Sequence, residues 1–184
     1  MKFQSKAVLK TRAKKFGLHI SGDFIILHCG EDILSGIGLD YAPHHAYLWL
    51  FVLPKFDDIS FLHMTLGERL FLPENSGDVL LDAIDIFNER ICAIRSASDL
   101  VIYIDSRESR SEYAEWAKYL SLVRSSSYDG AEILERSLDN RQLSESIHEK
   151  YQKLKRARAD GGWKEVQKAL VEWAGQTETR YCRG

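Results

Sequence analysis

Two adjacent histidines, His44-His45, form a pair whose residue type suggests chemistry. Imidazole carries protons near neutral pH and ligates metals. Neighbouring side chains diverge on a strand or loop, so two-point ligation by this pair needs a special turn, and Asp40 and His63 join it only if the strands pair suitably. An exposed turn is the plainer expectation. A second cluster, Asp99, Asp105 and Glu108 with Arg107 and Arg110, has the composition of a nuclease-like acidic site. Such sites place a lysine two residues after an acid to stabilise the attacked phosphate, and no D/E-x-K follows here. His148-Glu149 does not open an H-E-x-x-H zinc motif, because Gln152 stands where the second histidine belongs. Gly36-x-Gly38 lacks the rest of a phosphate loop and reads as a bulge or close-packing position, and Asp57-Asp58 reads as a solvated loop. No G-x-S-x-G occurs, and no cysteine has a His–Asn framework. These patterns assign no catalytic residue, no metal site and no cofactor, and they lean against an enzyme.

Two charged features suit docking better than catalysis. Glu68-Arg69 follows Gly67; Arg69 either pairs with an acid of the helix beginning near Asp78 or anchors a partner, a role in which arginine is favoured. Lys150, Lys153, Lys155, Arg156 and Arg158 spread a basic face along a helical stretch. Phosphates could use it without any base being read, and so could an acidic protein surface. Charge is also segregated along the chain. Residues 1–15 carry +6, residues 16–140 carry −12 and residues 141–184 carry +4, for a net −2. Basic ends on an acidic body point to charge-steered contacts, with a protein partner or with nucleic acid.

The element that must position all of this is the unbroken apolar run at residues 46–53, closed by Pro54. On a strand Tyr47, Trp49, Phe51 and Leu53 share one face, and Leu48, Leu50 and Val52 share the other. A strand with one wet face would alternate polar residues, so both faces here expect cover. The run is too short to span a bilayer.

Upstream, residues 2–16 predict an amphipathic helix stopped by Gly17, and residues 18–20 and 24–28 predict a hairpin around Ser21-Gly22-Asp23. Residues 33–41 predict a strand with a thin second face, and residues 59–66 a further strand. Residues 73–78 offer helix caps, and residues 79–93 carry apolar residues at helical spacing. Residues 100–104 are ambiguous between strand and helical turn.

Beyond Ser106 the composition turns charged and helical. Helices are predicted over 112–123 and from Tyr128 to Leu138, broken by Ser125-Ser126-Ser127 and similar to a single tetratricopeptide-type hairpin. A basic helix over 143–159 breaks at Asp160-Gly161-Gly162, a last helix covers 163–173, and residues 175–184 read as loose. The expected fold is therefore α+β: an antiparallel sheet with an N-terminal helix in residues 1–105, followed by a C-terminal helical bundle in residues 106–184. Cys29, Cys92 and Cys182 are odd in number and far apart, which suggests no disulfide framework and a reduced, cytoplasmic setting. The basic N-terminus lacks the apolar core of a signal peptide.

Ser35-Gly36-Ile37, the run 47–54 and Leu66-Gly67-Glu68-Arg69-Leu70 resemble a family of small, uncharacterised bacterial α+β proteins, and residues 114–134 and 163–179 continue the likeness. Members usually carry a second apolar residue and proline where this chain has Lys55-Phe56-Asp57. The resemblance implies a bacterial, cytosolic protein and no particular reaction. It suggests an accessory role in a defence-type complex, or an immunity-like inhibitor of one protein partner. A nucleic-acid-binding accessory factor and a small hydrolase or nuclease-like enzyme are the alternatives.

Overall fold

The computed structural model describes residues 5–42, 45–71, 78–107 and 111–183, and of residues 41, 42, 45 and 46 the backbone alone. Helix α1 (Lys6–Lys15) leads into a five-stranded antiparallel meander: β1 (His19–Ser21), β2 (Phe24–Cys29), β3 (Ile33–Ala42), β4 (His45–Pro54) and β5 (Glu68–Arg69), neighbours in chain order. Five helices follow: α2 (Val79–Arg90), α3 (Ala97–Asp105), α4 (Glu112–Arg124), α5 (Tyr128–Asp139) and α6 (Glu145–Tyr181). The architecture is the expected α+β arrangement, with the helical region after the sheet.

Strand β4 pairs along its whole length with β3, from Ile33↔Pro54 to Ala42↔His45. Its two apolar faces separate two cores. Leu48, Leu50 and Val52 pack with Leu9 and Ala13 of α1, Leu80 and Phe87 of α2, and Leu100 and Ile104 of α3. Phe51 and Leu53 pack on the opposite face with Ile26, Leu34, Ile59, Leu62 and Tyr181. Burying each of these large side chains is worth roughly 1.5–3 kcal/mol, which is why a run without polar alternation needs cover on both sides. Gly36 explains itself by close approach: a Cβ there would collide with the Ile25 carbonyl oxygen of β2.

A third core holds the helical region together, around Trp116, Tyr119, Leu120, Tyr151, Leu154, Val166, Leu170 and Trp173. It also takes Phe56 and Ala97, so side chains cross the boundary near residue 105. Arg124 at the end of α4 adds ion pairs to Asp32 (2.8 Å) and Glu31 (2.9 Å) in the β2–β3 turn.

Some expectations change, and the open reading of residues 100–104 closes. Residues 59–66 form no ladder strand. Their backbone is bound by α6 instead: the Ile59 N–H donates to Thr177 Oγ1 (3.4 Å), and Arg180 donates to the Ile59 carbonyl. Residues 100–104 are helical, because Ser96 and Asp99 close a capping box at the start of α3. Residues 175–181, expected to be loose, continue α6. There Lys55 pairs with Glu178 (3.0 Å) and Cys182 is disulfide-bonded to Cys29, with Cα atoms 6.1 Å apart. That bond also corrects the expectation that the cysteines stay unpaired; Cys92 remains the free thiol. The break at Gly161-Gly162 is as expected. Gly162 has φ +67° and ψ −159°, a conformation nearly closed to other residues, and it divides α6 into two helical halves.

Candidate functional site

Strand β5 is only two residues long and pairs Arg69 with Trp49 and Glu68 with Leu50. Directly opposed residues share a face, so Arg69 lies beside Trp49, and two residues along β4 it meets Tyr47. Its guanidinium carbon sits 3.5 Å from the centre of the Tyr47 ring and 5.5 Å from that of Phe71. Phe71 is 81 % exposed. The same sheet face is covered at its other end by Ile59, Leu62 and Tyr181, but here Tyr47, Trp49 and Arg69 are only half-buried. Arg69 has no ion-pair partner among the described residues, and its Nε is buried without a hydrogen bond, as is Trp49 Nε1. The acid of α2 expected for Arg69 is not its partner; Glu68 instead pairs with Arg90 of that helix (3.0 Å). A guanidinium stacked over an aromatic ring keeps its charge, loses little freedom on binding, and presents a fork that fits a carboxylate.

A second polar centre lies where the segment after β4 meets α4 and α6. Asp57, read from sequence as loop solvation, is 1 % exposed. The Trp116 indole N–H donates to Oδ1 (2.6 Å) and the Tyr113 hydroxyl to Oδ2 (2.7 Å). Lys150 Nζ donates to the Asp57 carbonyl (2.6 Å) and to Oδ1 (3.1 Å). Burial pushes the Asp57 carboxyl up, while Lys150 and the two aromatic donors oppose that shift. Beside it, His63 stands edge-on to Tyr113, ring centres 4.4 Å apart, and Phe61 stands edge-on to His63 at 5.9 Å. Burial first, and the Lys150 charge second, press the His63 imidazole down to about 4, so it is neutral at pH 7. A cleft of about 260 Å³ opens here, lined by Phe61, His63, Glu112, Tyr113, Ser146 and Lys150 among others.

The basic stretch of α6 is largely engaged within the molecule. Lys150 faces Asp57, Lys155 pairs with Asp139 (2.8 Å), and Arg158 pairs with Glu132 (2.6 Å) and Glu135. Lys153 and Arg156 stay exposed, with Lys153 Nζ 5.3 Å from the centre of the Trp173 ring. The basic N-terminal helix behaves likewise: Lys6 and Lys10 pair with Asp23, and Arg12 with Asp78.

The nuclease-like residues do not converge. Asp99 caps the start of α3, Asp105 at its end pairs with Lys118, and Arg107 donates to the Gly67 carbonyl (2.9 Å). Glu108 and Arg110 lie outside the described residues, as do His44, the side chain of His45 and the expected cap residues 73–77. Among the described residues no group of three His, Cys, Asp or Glu could hold a metal ion, and no helix is long and apolar enough to cross a membrane. Sequence reasoning singled out Glu68-Arg69 and Lys150 as partner contacts, whereas Lys150 is turned onto Asp57, and it passed over Asp57, Tyr113 and Glu112. A charged pair inside an otherwise apolar loop, Lys55-Phe56-Asp57, was the available signal. Compared with known proteins, the chain matches no family model, no curated protein and no solved structure.

Proposed function

We propose that this protein is a non-enzymatic interaction protein that docks a protein partner on the open aromatic end of its sheet, as an accessory subunit of a bacterial defence-type complex or an immunity-like inhibitor would. The observation that carries the reading is Arg69: a cation stacked 3.5 Å over Tyr47, flanked by the exposed Phe71, with no carboxylate paired to it among the described residues. Arginine, tyrosine and tryptophan are the residue types that dominate binding energy at interfaces. The complement of this surface is a carboxylate set among apolar side chains on the partner. The pairing of Lys150, Lys155 and Arg158 with internal acids favours this docking face over the basic helix as the contact.

Quantitative affinity capture from a native lysate of a bacterium carrying the protein tests the proposal. Wild-type protein is expected to retain a stoichiometric partner, Arg69→Ala and Phe71→Ser to lose it, and Ile133→Ser, an exposed apolar residue of α5, to keep it. Equal retention by Arg69→Ala and Phe71→Ser would overturn the reading.

A further inference from the structure

The cleft beside Asp57 carries an inference independent of the Arg69 face. Its walls come from three places: the segment 57–65, the first turn of α4 and the first turns of α6. Two aromatic side chains border it, Tyr113 and Phe61, the latter 67 % exposed at the mouth. Three charged groups line it: Asp57, Glu112 and Lys150. Lys150 is turned onto Asp57, to which it gives two hydrogen bonds, so Asp57 is the carboxylate that answers its charge. Glu112 receives the Ser144 backbone N–H on Oε1 (2.5 Å) and has no ion-pair partner among the described residues. His63 adds no charge at pH 7. The cleft thus holds Glu112 as a carboxylate without an ion pair among the described residues, in a lining shared with Phe61 and Tyr113 and with the hydroxyls of Ser60 and Ser146 as further acceptors.

We infer that this cleft is a binding site for an alkylguanidinium or alkylammonium group. A cation on a short apolar stem would meet the aromatic rings with its stem and faces, and Glu112 with its charge. An anion would be repelled by Glu112, while Lys150 is already engaged by Asp57. At about 260 Å³ the cleft is at the small end of ligand sites, suited to one amino-acid side chain or a metabolite of that size and not to a nucleotide. The group could arrive on a free amine or guanidine, or on a basic side chain of a protein.

NMR titration of the isotope-labelled full chain tests this with four probes whose α-amine is acetylated and so uncharged: the N-acetyl forms of arginine amide, the peptide Gly-Arg-Gly amide, norleucine amide and glutamate amide. Saturable shifts at residues 59–65 and 112–113 are expected with the two arginine probes, and the tighter of these identifies the source. Affinity should fall by about tenfold in Phe61→Ser and Glu112→Gln, the loss of one cation contact. Phe61→Ser changes an exposed ring, so it keeps the test sound if Glu112→Gln disturbs the helix starts. Shifts equal with norleucine amide, stronger with glutamate amide, or unchanged in Phe61→Ser would overturn the inference.

Discussion

At the scale of single residues, the Asp57–Lys150 contact explains how a loop that lacks strand pairing is held between sheet and helices. A buried ion pair contributes little over an apolar replacement, but removing one partner strands the other charge. Lys150→Ala is therefore expected to cost about 3–5 kcal/mol, read as a lower urea midpoint, because Asp57 stays buried and loses its cation. His63 sets a pH dependence. Its folded value of about 4 lies below its ordinary 6.5, so the unfolded chain binds more protons between those limits. Stability should fall as pH drops from about 6.5 towards 4, by roughly 2–4 kcal/mol in all, and level off below. Urea melts at pH 7 and pH 4.5 measure this, and His63→Gln should flatten the difference. The sequence carried part of this picture. Arg69 stood out by type, whereas Asp57 looked like solvated loop because the partners that bury it, Tyr113, Trp116 and Lys150, lie about 60 to 90 residues further on.

At the scale of elements, what was local was legible and what was remote was not. The unbroken run of β4, the Gly161-Gly162 break and the Ser125–Ser127 turn between α4 and α5 announce themselves within a few residues. The tail of α6 does not: its helix is fixed by Lys55, Ile59 and Cys29, across more than a hundred residues. Residues 59–66 read as strand for the same reason, since their apolar side chains fit a ladder and only α6 shows that Ile59 and Leu62 sink into a core instead. Two predictions belong here. Reducing the Cys29–Cys182 bond frees a chain segment with a sequence separation of 153, and the chain-entropy relation puts the loss at about 5 kcal/mol. Denaturant melts with and without dithiothreitol, set against Cys182→Ser, measure it. Gly162→Ala should cost roughly 1–3 kcal/mol, because φ +67° with an extended ψ admits only glycine comfortably; a urea midpoint equal to wild type would remove that reason for the kink.

At the scale of the molecule, the sheet divides the protein into one face sealed by α1, α2 and α3 and another sealed over half its length. The sealed half is held by the segment after β4 and the end of α6. The open half shows Tyr47, Trp49, Arg69 and Phe71. Charge follows a similar division: most cations of α1 and α6 are engaged inside the molecule, while Arg69 stacks over the Tyr47 ring without an ion pair among the described residues. Docking should therefore occur on the sheet and not on the helical bundle. Hydrogen–deuterium exchange on the captured complex tests this most directly. Added protection over residues 45–54 and 68–71, with α5 and α6 exchanging as in the free protein, is the predicted result. Protection confined to the outer surfaces of α5 and α6, with β4 and β5 unchanged, would contradict it.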